Sequence, residues 1–436
     1  MEPKKTTLFW HRRDLRITDN AGLYKALKNG APVQPVFIFD TTILDHLPEN
    51  DQRVLFIHRE LEALKKQYQD LGSDLLIVVG NPIDKIPELI KRFNAEAVYT
   101  NRDYEPYALE RDKHLFDLLK QQSVELIGAK DHVIFEKHEV VKPDGKPYTI
   151  FTPYMRRWKD QLTDFYTKSY PVEAYTDNLL KVSDSFEVIS LQKLGFSNVQ
   201  TVDFPDRIPV LEIIRNYHET RDLPAVNGTS RMSLHLRFGT VSIRELTRVA
   251  LINGEKYLNE LIWRDFYQMI IFHFPHSVTN SFKPEYDRIE WEYNEDHFLS
   301  WCEGKTGYPL VDAGMRELNA TGHMHNRVRM VVASFFTKHL LLDWHLGERY
   351  FAEKLLDFEL ASNVGGWQWA AGSGCDAAPY FRVFNPTLQQ EKFDPKFEYI
   401  RKWVPEFGTS AYPQPIINHV FARERVLARY KEGLSA

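Results

Sequence analysis

The sequence lacks most features that mark secreted, membrane-spanning or metal-binding proteins. It has two cysteines, Cys302 and Cys375, which are too few for a disulfide framework and are not spaced as a CxxC pair. No stretch reaches the roughly 18 consecutive apolar residues of a membrane-spanning helix, and no apolar signal segment precedes the first strand-like run. The histidines form no HExxH pattern. We therefore expect a cytoplasmic protein without a metal site or a membrane anchor.

Three further absences narrow the nucleotide chemistry. The net charge is −5, so a nucleic-acid site has to be a local basic patch. The first strand-like run is followed by Trp10-His-Arg-Arg-Asp-Leu-Arg16 in place of the GxGxxG dinucleotide motif. Gly304-Lys-Thr306 resembles the end of a P-loop, but Leu299 stands where that motif needs glycine and no strand precedes it. We expect no nucleotide hydrolysis there.

The pattern of apolar residues divides the chain into three parts. Over residues 1–135, five short apolar runs alternate with helical stretches, which predicts an α/β Rossmann-like domain with a parallel sheet covered on both faces. Residues 136–204 lose this alternation and read as a long interdomain linker. Residues 205–436 show helical periodicity and predict a large all-α domain. The predicted strands are Thr6–His11, Val33–Phe39, Asp74–Val79, Ala97–Thr100 and Val124–Ile127.

Tryptophan is concentrated in the helical part. Seven of the nine tryptophans fall between Trp263 and Trp403, and two of them, Trp367 and Trp369, are separated by a single residue. Indole stacks on flat heterocycles and is readily oxidised. The cluster therefore indicates a protein that holds a flat ring system, moves electrons, or does both, although any one tryptophan is explained equally well by packing.

One predicted helix, residues 257–271, carries a mixed polar and aromatic stripe. Glu260, Trp263, Arg264 and Tyr267 recur at i, i+3, i+4 and i+7 and share one face, while the opposite face is apolar. Such a stripe would form a wall for a flat polar ligand. The alternative is an Arg–Glu surface pair beside two half-buried aromatic rings.

Two other segments indicate anion binding. In the predicted helix 325–336, Arg327 and Arg329 stand among many apolar residues and need anionic partners, because an unpaired buried charge is costly. The segment from Gly228 to Ser233 places small hydroxyl residues ahead of a helical stretch, which is typical of a phosphate cradle. Ordinary helix capping explains the second segment as well.

Taken together, these segments resemble the cryptochrome/photolyase family over nearly the whole chain. The segments that carry the resemblance are Trp10–Asn20, Phe151-Thr-Pro-Tyr154, Gly228-Thr-Ser-Arg231, Glu260-Leu-Ile-Trp-Arg264, Gly304-Lys-Thr-Gly-Tyr-Pro309, His325-Asn-Arg-Val-Arg-Met330 and the run Gly366–Pro386. The likeness is greatest to the class I cyclobutane pyrimidine dimer photolyases. It implies the architecture of that family, an amino-terminal antenna domain and a carboxy-terminal FAD-binding domain.

The resemblance implies non-covalent FAD in the helical domain. By motif match, the cofactor-binding residues are Tyr217, Thr229, Ser230, Arg231, Met232, Ser233, Tyr257, Arg329, Asp357, Phe358, Glu359 and Asn363. Asn363 matches the asparagine that repair enzymes place beside the reactive ring, where plant cryptochromes tend to carry aspartate. Glu359 stands where aspartate is more frequent. A second antenna chromophore of the folate, deazaflavin or flavin type is expected in some members.

The resemblance also implies the catalytic apparatus and the substrate, DNA that contains pyrimidine dimers. Trp367, Trp344 and Trp291 match the three-indole relay that carries electrons inward from the surface, and Asn363 and Glu260 complete the catalytic set. A flipped-out dimer would enter a pocket lined by aromatic and polar side chains. The implied substrate-binding residues are Arg221, Glu260, Trp263, Arg264, Tyr267, Asn326, Arg327, Met330, Trp369 and Gln389.

Three alternatives stay open at this point. A (6-4) photolyase usually carries a histidine-bearing stretch where this chain has Asn326 and Met330. A blue-light receptor of the same fold usually appends a long tail, whereas about fifty residues follow Pro386. A non-catalytic nucleotide-binding protein would account for residues 1–135 but not for the helical part. We expect a monomeric, light-dependent lyase.

Overall fold

The computed structural model describes residues 5–197, 199 and 202–435, and these fall into two compact units. The first unit takes its described residues from the ranges 1–136, 162–207 and 232–249. The second takes its own from the ranges 137–161, 208–231 and 250–436.

A five-stranded parallel sheet forms the centre of the first unit. Its strands are β1 (Thr6–His11), β2 (Val33–Phe39), β3 (Leu76–Val79), β4 (Ala95–Asn101) and β5 (Glu125–Ala129). They are hydrogen-bonded in the order β3-β2-β1-β4-β5, and all four pairings are parallel. Every residue of β1 and β2 is buried, as expected for central strands covered on both faces. The predicted α/β class with a parallel sheet is confirmed.

Nineteen helices are assigned within the described part of the chain. In chain order they are α1 (Ala21–Lys28), α2 (Thr41–Leu44), α3 (Gln52–Asp70), α4 (Pro82–Phe93), α5 (Pro106–Gln121), α6 (Phe151–Gln161), α7 (Asp164–Thr167), α8 (Leu211–Thr220), α9 (Ser233–Phe238), α10 (Ile243–Asn253), α11 (Glu255–His273), α12 (Glu295–Cys302), α13 (Pro309–Thr321), α14 (Asn326–Ser334), α15 (Trp344–Lys354), α16 (Leu360–Ala371), α17 (Pro386–Phe393), α18 (Glu398–Trp403) and α19 (His419–Ser435). Short 3-10 segments cover Val172–Asn178, Pro275–Val278 and Pro284–Arg288, and a π-helical turn covers Phe335–His339.

Local sequence explains several helix starts. The side chains of Asn20 and Asn81 accept hydrogen bonds from the first turns of α1 and α4, and Asn385 does the same for α17. Proline occupies the first turn of α4, α5, α13 and α17, where its missing N–H costs nothing.

The segment predicted as a linker, residues 136–204, is more structured than its sequence pattern indicated. It contains α6, α7 and a 3-10 segment. Residues 137–161 belong to the second unit, and the described residues of 162–204 belong to the first. Positions 198, 200 and 201 of the predicted linker lie outside the described residues.

The second unit packs around buried apolar side chains of α13, α14 and α16. Val328, Val331 and Val332 of α14 are fully buried, together with Trp344 and Trp367. Gly314 on α13 allows close approach, because a Cβ there would lie 2.4 Å from a methyl carbon of Val328. Among the residues described, no helix has both the length and the apolarity needed to cross a membrane.

Candidate functional site

Helix α11 carries three of the four residues of the predicted stripe on a half-buried face. Glu260, Trp263 and Tyr267 are partly exposed. Arg264 is 9% exposed, and its Nη2 donates to Oε1 of Glu359 at 2.8 Å. Arg264 is one of the implied substrate-binding residues, and in this structure its guanidinium is mostly buried and already paired with a carboxylate.

The indole of Trp263 is fixed by an aromatic neighbour on α6. The rings of Trp263 and Phe151 are stacked with centroids 3.6 Å apart and an interplanar angle of 6°. Tyr267 lies 5.4 Å from the same indole. The backbone N–H of Phe151 donates to a carboxylate oxygen of Asp376 at 3.1 Å. One face of Trp263 is thereby covered by Phe151.

Two arginine–carboxylate pairs lie near these residues of α11. Nη1 of Arg221 donates to Oε1 of Glu260 at 2.5 Å, and Nη2 of Arg327 donates to Oδ1 of Asp222 at 2.7 Å. Burial raises the pKa of Glu260, and the charge of Arg221 opposes that shift. Both arginine side chains keep part of their surface exposed.

An open cavity of about 410 Å³ lies beside α14, α16 and α17. It brings together four of the predicted substrate residues, Arg327, Met330, Trp369 and Gln389. Asn326, the first residue of α14, is exposed one position before Arg327. The remaining lining residues were not predicted and are Asp222, Arg382, Phe384, Lys392 and Phe393. For four of these five, the signal that could have identified them is a basic residue close to aromatic ones, in Tyr380–Phe384 and at Lys392-Phe393.

The start of α14 is held by a buried histidine. His325 accepts a hydrogen bond from the backbone N–H of Arg327 at 3.2 Å through Nδ1. Burial lowers the pKa of His325 to about 4, so the ring is neutral at pH 7 and can accept this bond. His325 thereby fixes the first turn of α14, which begins with Asn326.

Asn363 on α16 is oriented by a carboxylate. Its Nδ2 donates to the backbone oxygen of Glu348 at 3.0 Å and to Oε1 of Glu348 at 2.8 Å. Burial raises the pKa of Glu348, and the hydrogen bond from Asn363 opposes that shift. With both N–H groups of the amide engaged, the Asn363 oxygen is directed away from Glu348.

The other predicted flavin contacts near α16 form ion pairs. Nη2 of Arg329 donates to both oxygens of Asp357, at 3.0 and 3.1 Å. Glu359 accepts from Arg264 and also from Ser362 at 3.2 Å. The side chain of Glu359, which is longer than that of the aspartate more frequent at this position, therefore reaches an arginine on α11. Phe358, which lies between Asp357 and Glu359 in the sequence, is partly buried.

The predicted phosphate cradle is a loop that precedes α9. Oγ of Ser230 and Oη of Tyr257 are 2.8 Å apart, and Tyr217 meets Tyr257 edge-on at 5.4 Å. Thr229 precedes Ser230, and Arg231 follows it with a positive φ of 53°. Nε of Arg231 is buried and has no hydrogen-bond partner among the described residues. Met232 and Ser233 belong to the first unit.

The three relay candidates lie in neighbouring elements. Trp344 begins α15. One turn later, Gly347 lies against the indole of Trp367, so closely that a Cβ built on Gly347 would be 2.1 Å from the ring. Glu292, the residue after Trp291, donates its backbone N–H to Leu341 at 2.8 Å and pairs with Leu342. Trp344 and Trp367 are 1% and 2% exposed, whereas Trp291 is partly exposed, so the series runs from the interior to the surface.

The sequence matches two family models. Residues 7–174 match the model described as DNA photolyase, and residues 257–411 match the FAD binding domain of DNA photolyase. A deoxyribodipyrimidine photo-lyase of Synechococcus sp. is 35% identical, over 98% of this chain and 96% of the relative.

Solved structures agree with these matches. A class III photolyase from Agrobacterium tumefaciens superposes with a TM-score of 0.88 at 31% identity, covering 99% of this chain and 98% of the other. A photolyase from Sulfolobus tokodaii, described with two FAD molecules, gives 0.83 at 34% identity, covering 98% and 100%.

Proposed function

Because the chain belongs to the DNA photolyase family, we propose that it is a light-dependent lyase that splits cyclobutane pyrimidine dimers in DNA. The observation that carries this assignment is the 410 Å³ cavity, in which Met330 and Trp369 stand beside Arg327, Arg382 and Lys392. Apolar and aromatic walls suit two linked pyrimidines, and a cationic rim suits the phosphates around them. The rim is a local basic patch on a chain whose net charge is −5.

FAD is the cofactor, and the residues of the second unit fit it. Arg231 is a cation whose buried Nε–H has no partner among the described residues. It lies next to the hydroxyl groups of Thr229 and Ser230 in the sequence, and this set suits a phosphate. Reduced FAD, when bound and excited by light, supplies the electron that opens the dimer. We assign its binding in this unit to Tyr217, Thr229, Ser230, Arg231, Tyr257, Arg329, Asp357, Phe358, Glu359 and Asn363.

The chain's own residues have separable roles in this proposal. Trp263 stacks on the dimer, and Phe151 holds its indole in position. Glu260 and Asn326 meet the polar edges of the bases, and Glu260 is held in place by Arg221. Asn363 presents an amide oxygen to the flavin because Glu348 engages its nitrogen.

Backbone binding and electron supply fall to other residues. Arg221, Arg327 and Gln389 contact phosphates, together with Arg382 and Lys392 from the cavity rim. Arg264 instead orients Glu359. Trp291, Trp344 and Trp367 carry electrons inward from the surface.

Three further elements complete the proposal. Residues 1–135 form an antenna domain that takes a second chromophore of the folate, deazaflavin or flavin type. The protein acts as a monomer. It works in the cytoplasm, where free thiols persist, and both Cys302 and Cys375 are unpaired thiols.

Lesion selectivity tests the proposal. Affinities are measured for three matched oligonucleotides, which contain a cyclobutane thymine dimer, a (6-4) photoproduct or intact thymines. We expect the cyclobutane dimer to bind at least about 100-fold more tightly than intact DNA, since stacking on Trp263 and on Trp369 contributes about 1–3 kcal/mol each. Preference for the (6-4) lesion would identify the alternative repair enzyme. Equal affinity for all three would remove the repair assignment.

A further inference from the structure

A carboxylate lines the cavity that the proposed function gives to DNA. Asp222 follows the end of α8 by two residues, and it lines the 410 Å³ cavity together with three cations, Arg327, Arg382 and Lys392. It is the acidic member of this set of described residues. A carboxylate repels the phosphates of DNA, so general attraction to the DNA backbone does not account for its presence.

Asp222 engages one edge of a single arginine. Nε and Nη2 of Arg327 both donate to Oδ1 of Asp222, at 3.1 and 2.7 Å. These two nitrogens form one side of the planar guanidinium fork, and one oxygen therefore holds that side. The pair carries no net charge, in contrast to a free arginine on a rim that binds phosphate.

Two further contacts hold the same guanidinium. Cζ of Arg327 lies over the ring of Phe393 on α17, 4.4 Å from its centroid. Nη1 of Arg327 lies 3.6 Å from Sδ of Met330, which is one turn farther along α14. The arginine is thus held at an edge, at a face and at its remaining nitrogen. It loses all three contacts if it swings out toward a phosphate that passes outside the cavity.

The other two cations of the rim are placed differently. Arg382, in the loop before α17, and Lys392, near the end of α17, are both exposed. Their long side chains are able to follow the backbone of any DNA that reaches this surface. The rim therefore combines two exposed cations with one cation, Arg327, that is neutralised and fixed in position.

Intact and damaged strands present their phosphates differently to such a rim. An intact duplex keeps its bases stacked, and its backbone stays outside the cavity. A strand whose dimer has flipped into the cavity brings the adjoining phosphates inward with it. A phosphate inside the cavity reaches the N–H groups of Arg327 that Asp222 leaves open, and a charge-assisted bond forms there without moving the arginine.

We propose that Asp222 is a specificity-determining residue, which restrains Arg327 so that this arginine binds the phosphate beside a flipped-out dimer and not the backbone of intact DNA. Asp222 acts through Arg327 and is a positioning residue. The inference rests on the proposed function, since it requires the cavity to take a dimer. Intact DNA is in large excess over lesions, so a lower affinity for intact DNA leaves more of the protein for the lesions.

The test measures affinity for two matched oligonucleotides, intact or with one thymine dimer, at several salt concentrations. Asp222→Asn keeps the size and an acceptor oxygen and removes the charge. We expect its affinity for intact DNA to rise about three- to tenfold and the salt slope to steepen by about 0.9, as for one more phosphate contact. Affinity for dimer-containing DNA should change less than about twofold, so that selectivity falls. Asp222→Glu keeps the charge and should retain the selectivity.

Two further variants separate the restraint from a general charge effect. Glu406 accepts from Nη2 of Arg316 at 2.6 Å, and this pair does not belong to the described lining of the cavity. Glu406→Gln is therefore the matched control and should leave both affinities unchanged. Asp222→Asn combined with Arg327→Ala should show the same selectivity as Arg327→Ala alone, because the residue that Asp222 restrains is then missing.

The possible failures are distinguishable. Unaltered selectivity in Asp222→Asn, or equal losses of affinity for both DNAs, would show a merely structural pair and overturn the inference. A fall in selectivity that persists in the combined variant would show direct repulsion of DNA by Asp222 and overturn its action through Arg327. Equal affinity of the unmodified protein for both DNAs would contradict the proposed function itself.

Discussion

The phenyl ring of Phe151 lies flat against the indole of Trp263, with centroids 3.6 Å apart and planes within 6° of parallel. Phe151 starts α6 and Trp263 lies in α11, so the contact joins two helices across more than a hundred residues. The contact gives a role to the Phe151-Thr-Pro-Tyr154 segment, which contains none of the predicted site residues. The segment braces the wall on which the lesion is expected to stack.

Phe151→Leu should loosen that wall without removing it. We expect affinity for dimer-containing DNA to fall about three- to tenfold, since an aromatic pair contributes roughly 0.5–1.5 kcal/mol beyond burial. Trp263→Ala should lower it about 10- to 100-fold. Affinity for intact DNA should hardly change in either variant. Phe151→Tyr keeps the stacked ring and serves as the control. Equal losses on both DNAs would remove Trp263 from the lesion pocket.

Arg327 and Arg264 should respond in opposite ways to replacement by alanine. Arg327 lines the cavity, so its loss should reduce the salt dependence of DNA binding by about one phosphate contact. Arg264 is buried against Glu359, so its loss should leave the salt slope unchanged and destabilise the fold by about 3 kcal/mol or more. Titrations at several salt concentrations and thermal unfolding distinguish the two. A reduced slope in Arg264→Ala would return that residue to the DNA contacts.

Trp291→Phe should interrupt the supply of electrons and spare the repair step. Its indole is the partly exposed member of the series, and phenylalanine is far harder to oxidise. We expect light-driven reduction of oxidised flavin to fall at least about tenfold, while protein reduced beforehand with dithionite repairs dimers normally. Trp301 is fully buried and lies 6.1 Å from Trp367, and Trp301→Phe is the matched control. Undiminished photoreduction in Trp291→Phe would show another route.

Lys338, which is buried in the π-helical turn after α14, should produce a pH dependence of stability. Its pKa is lowered to about 7 in the folded protein and is about 10.4 in an unfolded chain. Between these values the unfolded chain binds more protons, so stability rises with pH from about 7 to about 10.4 and is constant below that range. The difference in unfolding free energy between the unmodified protein and Lys338→Met should therefore shift in favour of the unmodified protein from pH 7 to pH 10. Denaturant titrations measure it. A constant difference over this range would mean that Lys338 does not titrate there.

Local patterns were enough to predict the sheet. The bounds of β1 and β2 agree with the sequence prediction at both ends, because short runs rich in apolar and β-branched residues between polar turns have few other solutions. The strand predicted as Ala97–Thr100 extends to Ala95–Asn101, where the apolar signal is weaker. Residues 136–204 looked like a linker because α6 is short and rich in polar residues. Its burial depends on Phe151, Tyr154 and Trp158, which pack against distant partners.

The candidate site shows where sequence reasoning stops. Helical spacing placed Arg264 on the same stripe as Glu260, but its ion pair with Glu359 joins residues 95 positions apart and follows only from tertiary packing. The motif resemblance named Arg327, Met330, Trp369 and Gln389, and the structure gathers them at one cavity. Arg382 and Lys392 were missed because basic residues are common on surfaces, and their aromatic neighbours in the sequence are only a weak signal until the cavity brings them together.

Light-dependent repair by the purified, reduced protein tests the central claim most directly. An oligonucleotide with a single thymine dimer is incubated with the protein in blue light or in darkness, and restored thymines are counted by chromatography. We predict complete conversion in the light at excess protein and none in the dark. The assignment would be contradicted if the dimer stays intact under illumination although the protein carries reduced flavin and binds the oligonucleotide.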